Sequence, residues 1–460
     1  MKTSTRIILF SAVAVIATGG TLGALKAGFN PAQAITQSRC EAGAFIKHDN
    51  KAAGVESDTD PAVASSLQNA GPSQLPKAEL LGTNQIEDPG LENYQPKVAP
   101  NPAGWETNTF GDNDAKFSLV AGYNSSVAAR VEMTKYTNGD GDWFYQGVMV
   151  KPGQYYTYAD WYRSNVATRT VLELISNHGI KTYINLDTAP ASEQWRQYGT
   201  AFFIPQDTRQ IRVSHTLSAK GWLETDNASL VLSEALGFNQ GLVSVSFDDG
   251  WKSIATNALP VLKKYDIVST QYLISGYVGQ AKDYMTVADA YAFKAQGSEI
   301  ASHTVSHANL TTTSPAETAN QLTQSSTDLG KCFGSVTDLA YPYGAYSQTS
   351  LQTTKQNYTI ARSTEAGYNT RDNLDAYRLK VQNVDSSTTP AQIADWLKTA
   401  RDNKVWLILV YHQVGGDDSA FTRRTADFER DMQAVKTSGL GVKTIRDAYA
   451  EVAPQANPSR

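Results

Sequence analysis

The stretch LVSVSFDDG, residues 242–250, decides the fold of the C-terminal part of this chain. Its first six residues form an alternating, apolar, β-branched run that predicts a strand, and the turn residues Asp-Asp-Gly end that strand. The run VWLILVY at residues 405–411 is continuously apolar and predicts a second strand, buried on both faces as in parallel sheets. The carboxylates of Asp248 and Asp249 therefore stand directly after a buried strand.

Stretches with helical periodicity lie between and after these strands. They span residues 254–265, 286–296, 315–329, 390–403 and 425–438. Two of them begin with an N-cap residue followed by proline at the first helical position, namely Ser314 with Pro315 and Thr389 with Pro390. Alternating strands and helices predict βα units, so we expect a distorted (β/α) barrel, closed or incomplete. In such a barrel the loops after the strands assemble the active site.

A histidine pair in SHTVSH, residues 302–307, indicates a metal site. His303 and His307 are four positions apart, and the whole chain has only six histidines. Neutral imidazoles with a carboxylate form the mixed ligand set that zinc and its first-row neighbours accept, with one position left open for water. Each fragment alone has an ordinary explanation, because Asp-Asp-Gly is common in turns and a histidine pair is often solvated. Their joint occurrence favours a divalent-metal hydrolase.

Four short motifs follow one another along the C-terminal part of the chain. They are SFDDG at 246–250, HTVSH at 303–307, YPYG at 341–344 and VYH at 410–412. In order and approximate spacing this series resembles the polysaccharide deacetylase (NodB-type) domain of family-four carbohydrate esterases. The resemblance covers roughly residues 242–452, under half of the chain, and it also implies a distorted (β/α) barrel.

The resemblance implies a role for each acidic and histidine residue of the first two motifs. Asp248 corresponds to the catalytic base, and Asp249, His303 and His307 correspond to the metal ligands. Zn²⁺ is the expected metal, with Co²⁺ and Ni²⁺ as alternatives. A metal held in this way lowers the pKa of bound water from about 15.7 to roughly 7 and polarises a carbonyl group. A carboxylate that does not bind the metal can then accept the proton.

Two further residues complete the implied mechanism. The main-chain N–H of Tyr343 corresponds to the donor that stabilises the oxyanion. His412 corresponds to the general acid for the leaving amine, which suits an imidazole with an unperturbed pKa of about 6.5. Without the resemblance, Tyr343 is equally well explained as a turn residue after Pro342, and His412 as a histidine at a strand end.

The third motif departs from the family pattern. Where the family usually has an arginine that braces the catalytic base, this chain has Ala340. Arg362 or Arg378 could supply a guanidinium from elsewhere, since its rigid planar fork suits a carboxylate. Surface arginines are common, so the sequence alone does not show whether Arg362 or Arg378 contacts Asp248.

The two last motifs are also altered. Asp385 corresponds to the acid that tunes His412, with an ordinary turn aspartate as the alternative. Val410 stands where leucine is usual, at the wall of a small apolar pocket that would receive a methyl group.

Residues 81–235 differ in character, with short aromatic and β-branched runs separated by turns. This pattern predicts an all-β sandwich. The segments PGLE at 89–92, GW at 104–105 and GWLETDN at 221–227 resemble the terminal strands of jelly-roll carbohydrate-binding modules. We therefore expect a jelly-roll sandwich ahead of the barrel.

Ligand contacts in the sandwich follow from this second resemblance. It implies a structural Ca²⁺ held by Glu92 and Asp226, with ordinary exposed acids as the alternative. Sugar rings stack on exposed aromatic faces. The aromatic candidates are Trp143, Tyr158, Trp161, Tyr162 and Trp222. Since an alternating aromatic strand usually buries one face, we expect most of them in the core and one or two in contact with glycan.

The N-terminal segment, residues 1–34, has the features of an export signal. Lys2 and Arg6 precede an apolar stretch, and PAQA at 31–34 has the form of a signal-peptidase site. We expect a secreted or cell-envelope protein, with this segment either cleaved or retained as a membrane anchor. The expected segments are signal or anchor 1–34, flexible linker 35–80, sandwich 81–235, deacetylase domain 236–453 and tail 454–460.

Composition limits the classes of function. With 460 residues, 41% hydrophobic and 18% charged, the chain is expected to be globular and to form two domains. A net charge of -5 gives no basic surface for nucleic acid. Two cysteines, Cys40 and Cys332, do not make a disulfide framework.

Three interpretations follow. The leading one is an exported, metal-dependent enzyme that removes N-acetyl groups from an amino-sugar polymer. Ala340 motivates the second, a catalytically impaired surface protein that only binds glycan. The third is an esterase that removes O-acetyl groups from a polysaccharide.

Overall fold

The computed structural model describes residues 79–93, 101–124, 127–416 and 419–456. The expected export segment and nearly all of the expected linker lie outside these residues, as does the end of the tail. Within the described part of the chain, no helix is both long and apolar enough to cross a membrane.

Two antiparallel sheets make up the first part of the structure. Their strands are β1 Glu79–Leu80, β2 Trp105–Phe110, β3 Lys116–Val120, β4 Ala128–Met133, β5 Asp140–Tyr145, β6 Val148–Met149, β7 Tyr155–Ser164, β8 Thr168–Ser176, β9 Lys181–Ala189, β10 Ser192–Phe203, β11 Thr208–Leu217 and β12 Gly221–Glu234. One sheet has the order β10-β7-β12-β4-β3, with β1 paired to β12. The other has the order β2-β5-β11-β8-β9, with β6 paired to β11.

The two sheets enclose a common apolar core. Tyr156, Tyr158 and Tyr162 of β7 pack in the same cluster as Leu172 of β8 and Val213 of β11. Alternate residues of β7 are therefore buried between the sheets, as expected for strands with one inner face. The jelly-roll assignment stays a prediction.

The second part is a closed parallel barrel. Its strands are β13 Leu242–Phe247, β14 Thr270–Leu273, β15 Glu299–Ser302, β16 Asp338–Ala340, β17 Ile360–Ala366, β18 Leu379–Asn383 and β19 Trp406–Tyr411. They pair in the order β14-β15-β16-β17-β18-β19-β13, and an additional pairing of β13 with β14 closes the ring. The predicted (β/α) barrel is thus confirmed in its closed form. The remaining short strands are β20 Gln413–Val414, β21 Thr422–Arg423 and β22 Gly441–Val442.

Helices follow most of the barrel strands. They are α1 Leu259–Tyr265, α2 Val287–Lys294, α3 Pro315–Phe333, α4 Gln348–Asn357, α5 Pro390–Asp402, α6 Thr425–Thr437 and α7 Ile445–Val452. A π-helical turn, Ile254–Ala258, runs directly into α1. The two predicted N-caps are confirmed, since Ser314 accepts a hydrogen bond from the N–H of Glu317 and Thr389 accepts one from the N–H of Gln392.

Side-chain alternation separates the barrel interior from its outer layer. Val243, Val245 and Phe247 of β13 pack outward in the cluster that includes the helices. The interior instead contains Trp406 of β19, whose indole N–H donates to Ser244 Oγ at 3.0 Å. Positions that continue the inward rows, beyond the strand ends, therefore point toward the barrel axis.

The sheet part packs directly on the barrel. Phe203 of β10 meets Tyr368 edge to face, with ring centroids 5.2 Å apart. The hydroxyl of Tyr155 donates to Asp372 Oδ2 at 3.2 Å. These contacts join the two parts through a shared apolar cluster.

Candidate active site and metal centre

The catalytic candidates meet at one end of the barrel. Asp248 follows β13, His303 follows β15 and His412 follows β19, each just beyond the C-terminal end of its strand. All three side chains are buried. Because the strands are parallel, these ends lie on the same edge of the barrel, where βα loops build active sites.

Three potential metal ligands form a tight, buried cluster. Asp249 Oδ1 lies 3.5 Å from His303 Nε2 and 3.4 Å from His307 Nε2. The three side chains offer ligand atoms that all lie within 4.8 Å of one another. Asp249, His303 and His307 are 3%, 2% and 7% exposed. These are the three residues that the sequence predicts as metal ligands, and the fold brings them together.

The hydrogen bonding of His303 defines which ring nitrogen is available. Nδ1 contacts the main-chain oxygen of Ala340 at 2.9 Å, and because a carbonyl only accepts, Nδ1 is the protonated donor. When the ring is neutral, Nε2 carries a lone pair that faces Asp249. This arrangement is the one usually found around metal-binding histidines.

The cluster favours a positive charge at its centre. Burial by itself would raise the pKa of Asp249, yet the imidazoles of His303 and His307 hold that pKa well below its usual range. Burial likewise acts to lower the pKa of His303, but the carboxylates of Asp249 and Asp248 raise it above its ordinary value. Asp249 Oδ1 is buried and has no hydrogen-bond partner among the described residues. A divalent cation would satisfy this oxygen and both Nε2 atoms, so the donor set fits a metal.

The backbone at the site is held in sparsely populated conformations. Asp249, His307 and Tyr343 have φ values of 69°, 57° and 60°, and Thr304 has 65°. Residues with a side chain seldom adopt this left-handed region, and such conformations cluster at functional sites. These strained backbone conformations set the directions in which the side chains of Asp249 and His307 leave the chain.

Arg362 supplies the guanidinium that the third motif lacks. Its Nη2 contacts Asp248 Oδ1, and the fully buried guanidinium also lies over the ring of Tyr272 at 4.5 Å. Arg362 stands on β17 directly opposite Ala340 of β16 in the strand register. The strand next to Ala340 thus places an arginine against the carboxylate of Asp248.

The other arginine candidate lies elsewhere. Arg378 pairs with Asp375, Nη2 to Oδ2, at 2.7 Å. The guanidinium of Arg378 therefore forms a local ion pair with a residue three positions earlier in the chain. The alternative in which Arg378 braces Asp248 is not supported.

The remaining predicted residues take different places. His412 is buried beside Phe421, with ring centroids 5.2 Å apart. Tyr343 is partly exposed, and its ring lies 4.5 Å from that of His307. Asp385 Oδ1 accepts hydrogen bonds from the N–H groups of Ser387 and Thr388, at 2.8 and 2.9 Å, which is the geometry of a turn aspartate.

Val410 is fully buried in the barrel interior, in the cluster that contains Tyr272 and Leu379. Its predicted place at the wall of a small apolar pocket that receives a methyl group stays a prediction.

An aromatic group beside the metal cluster was missed by sequence analysis. The indole N–H of Trp251 donates to Asp249 Oδ2 at 2.8 Å. Trp251 stacks on Tyr284, with ring centroids 4.6 Å apart and planes inclined by 21°. Tyr277 meets Tyr284 edge to face at 4.8 Å. The one feature of the sequence that could have predicted this contact is the position of Trp251 directly after Asp-Asp-Gly.

Most of the predicted stacking residues of the sandwich are buried. Trp143, Tyr158 and Tyr162 are 7%, 3% and 2% exposed and belong to the core between the sheets, which rules out stacking on a sugar. Trp161 and Trp222 are partly exposed. Trp161 stacks on Tyr123 at a centroid distance of 3.6 Å, and Arg130 lies over Trp222 at 5.0 Å.

The predicted calcium ligands differ in exposure. Asp226 is buried, and its carboxylate accepts hydrogen bonds from the N–H groups of Tyr123 and Asn227, each at 2.7 Å. Glu92 is exposed. A structural calcium ion at this end of the sandwich stays a prediction.

Comparison with known proteins finds similarity to polysaccharide deacetylases. Residues 237–359 match the family model for polysaccharide deacetylase. YxkH of Bacillus subtilis (strain 168), provisionally named a polysaccharide deacetylase, is 30% identical over 33% of this chain and 54% of its own length. A chitin deacetylase from Pestalotiopsis sp. is 32% identical over 24% of this chain and 37% of its own length. The chain thus spans about half, or less, of the length of these curated relatives.

One solved structure with a low overall similarity is the Xyl-CE4 domain of a multidomain xylanase from the hindgut metagenome of Trinervitermes trinervoides. It is 20% identical, with a TM-score of 0.35 over 48% of this chain and 95% of that domain. A TM-score this low does not establish a shared fold. The family model and the two curated relatives show that part of the barrel is similar to polysaccharide deacetylases.

Proposed function

We propose that this chain is an exported, metal-dependent deacetylase that hydrolyses N-acetyl groups of an amino-sugar polymer. The observation that carries the proposal is the buried cluster of Asp249, His303 and His307 next to an arginine-braced Asp248, within a polysaccharide deacetylase domain. A metal-ligand set and a separate carboxylate base are the parts that metal-assisted hydrolysis of an acetyl group requires.

The three-residue cluster would hold a divalent cation, with Zn²⁺ the best match to two imidazoles and one carboxylate and Co²⁺ or Ni²⁺ as alternatives. When bound, such a cation lowers the pKa of coordinated water and polarises the acetyl carbonyl. Asp248 does not belong to the ligand cluster, which leaves its carboxylate available to accept a proton from the attacking water.

Three further groups of this chain would complete the reaction. Arg362 orients the Asp248 carboxylate by contact with Oδ1. The main-chain N–H of Tyr343, in a left-handed turn, would donate to the developing oxyanion. His412, buried near the cluster, would give a proton to the leaving nitrogen.

The contact between Arg362 and Asp248 bears on the competing interpretation. A catalytically impaired, glycan-binding protein was suggested by Ala340, because the family arginine is absent there. The guanidinium of Arg362 reaches the base from the adjacent strand, so that reason for impairment is removed.

The name of the Pestalotiopsis relative supports a substrate of the chitin class, a polymer of N-acetylglucosamine.

The sandwich is proposed to bind the same polymer. Trp161, Trp195 and Trp222 are partly exposed, unlike the buried aromatics of β7. Trp195, which sequence analysis did not select, has Arg163 over its ring at 5.0 Å. The partly exposed indoles offer apolar surface to a sugar, and the guanidinium groups beside Trp195 and Trp222 add hydrogen-bond donors. The N-terminal export features of residues 1–34 support secretion or attachment to the cell envelope.

Removal of the metal is expected to abolish acetate release. Full-length protein is assayed on chitin oligomers and on acetylated xylan, before and after treatment with a chelator and after re-addition of zinc or cobalt. We expect zinc-restored release, greater from the N-acetylated oligomers than from xylan. His303→Ala should resist restoration, whereas His178→Ala, an exposed histidine of the sandwich, should behave as wild type. Full activity of the metal-free protein would contradict the proposal, and release from xylan alone would identify an esterase.

Arg362→Lys is expected to lower kcat about 100-fold, because a lysine retains the charge but cannot hold the carboxylate of Asp248 in a fixed orientation. The matched control is Arg378→Lys, which alters an arginine paired with Asp375 and should change kcat little. Thermal unfolding of both variants separates loss of positioning from loss of fold. Equal kcat in Arg362→Lys and wild type would show that the guanidinium does not serve the base.

Trp161→Ala is expected to weaken binding of the full-length protein to insoluble chitin roughly three- to tenfold, since one aromatic contact is lost. Phe110→Ala, which removes a 71% exposed ring from the other sheet, is the control and should bind as wild type. Deacetylation of short oligomers should be unaffected by either change. Unaltered binding by Trp161→Ala would argue against a glycan surface on this sheet.

A further inference from the structure

The two oxygens of the Asp249 carboxylate have different surroundings. Oδ2 accepts a hydrogen bond from the indole N–H of Trp251 at 2.8 Å. Oδ1 faces His303 Nε2 and His307 Nε2 at 3.5 and 3.4 Å, and among the described residues it has no hydrogen-bond partner. The side of the carboxylate that faces the imidazoles is thus left open, while the other side is occupied by an indole.

Trp251 is itself held in place by a loop that packs on the end of β13. Its ring stacks on Tyr284, and the two residues also form an isolated antiparallel bridge. Hydrogen bonds on either side close the loop, from the N–H of Lys252 to the oxygen of Asp283 at 2.7 Å and from the N–H of Met285 to the oxygen of Gly250 at 2.8 Å. The indole therefore has little freedom to turn away from Asp249.

The backbone explains why this contact is possible. Asp249 and Gly250 both have positive φ, 69° and 79°, so the chain turns sharply between the strand and Trp251. This turn brings the side chain of residue 251 back onto that of residue 249. The same turn separates Asp248, which points to Arg362, from Asp249, which points to the histidines.

We propose that Trp251 is a positioning residue for the metal ligand Asp249. Its N–H fixes Oδ2, so that the carboxylate presents Oδ1 alone to the cation, and Tyr284 fixes the indole. The torsion that turns a carboxylate about its Cβ–Cγ bond is soft, so without a partner on Oδ2 the group would sample other orientations. The inference rests on the proposed metal-dependent function and concerns residues outside the ligand set.

A second role for the aromatic group follows from its position. Trp251 contacts Asp249 of the buried charged cluster and stacks on Tyr284, which places apolar rings beside the cluster. Reduced water access strengthens the electrostatic interaction between a carboxylate and a cation. A phenylalanine in place of Trp251 would keep an apolar ring at this position while removing the N–H, which allows the two contributions to be separated.

The test is zinc affinity of the purified full-length protein, measured by competition with a chromogenic chelator. Trp251→Phe is expected to weaken zinc binding about 10- to 100-fold, the usual effect of removing a hydrogen bond to a metal ligand. The visible absorption of the cobalt-loaded variant should also differ from that of wild type, because the carboxylate ligand is reoriented. Trp396→Phe, an indole packed in part against the barrel core, is the matched control and should change neither.

A further variant tests the contribution of the stacking partner of Trp251. Tyr284→Ala keeps the indole N–H but removes its stacking partner, and it should weaken zinc binding by less than Trp251→Phe. Far-UV circular dichroism checks the fold of each variant. Zinc affinity and cobalt spectra of Trp251→Phe equal to those of wild type would overturn the positioning role alone. Failure of the wild-type chain to bind zinc would overturn the proposed metal-dependent function as well.

Discussion

A buried carboxylate set against two imidazoles is the interaction on which the candidate site depends. Asp249, His303 and His307 are almost completely removed from solvent, where an isolated charge is costly. The surrounding groups compensate for that cost in specific ways: the main-chain oxygen of Ala340 accepts a hydrogen bond from His303 Nδ1, and Trp251 donates one hydrogen bond to Asp249. What remains is one carboxylate oxygen and two ring nitrogens that face one another, an arrangement suited to a divalent cation.

The closed parallel barrel explains how these groups come together. Asp248, His303 and His412 each continue the inward row of a different strand, so ring closure between β13 and β14 fixes their mutual distances. The same geometry explains how the arginine that braces Asp248 can come from β17, although the family usually has it at the position of Ala340 on β16. Ala340 and Arg362 are paired in register, and both positions point inward. Ala340 is fully buried, and the guanidinium that contacts Asp248 comes from Arg362 on the next strand.

The sequence was sufficient for the features that depend on local pattern. The apolar runs at β13 and β19, the capped helices α3 and α5 and the candidate metal ligands are all encoded in short segments. The strands between them were not predicted, because β15 and β16 are three or four residues long and begin with the buried acids Glu299 and Asp338. A short strand that starts with a carboxylate has no apolar run to reveal it.

Other features depend on how distant segments meet, which no local pattern describes. The choice between Arg362 and Arg378 required the register of β16 and β17. Alternation along β7 predicted that one aromatic face is buried, but not that Tyr158 and Tyr162 occupy that face while Trp161 lies opposite. Trp251 belongs to no motif, and its contact with Asp249 follows from two successive residues with positive φ.

The most direct test of the metal centre is X-ray absorption at the zinc edge, recorded on full-length protein loaded with one equivalent of zinc. The geometry predicts one bound zinc ion with two imidazole nitrogens and a carboxylate oxygen at about 2.0–2.2 Å, and no sulfur ligand. A spectrum without imidazole scattering, or a protein that retains no stoichiometric zinc, would contradict this account of the site.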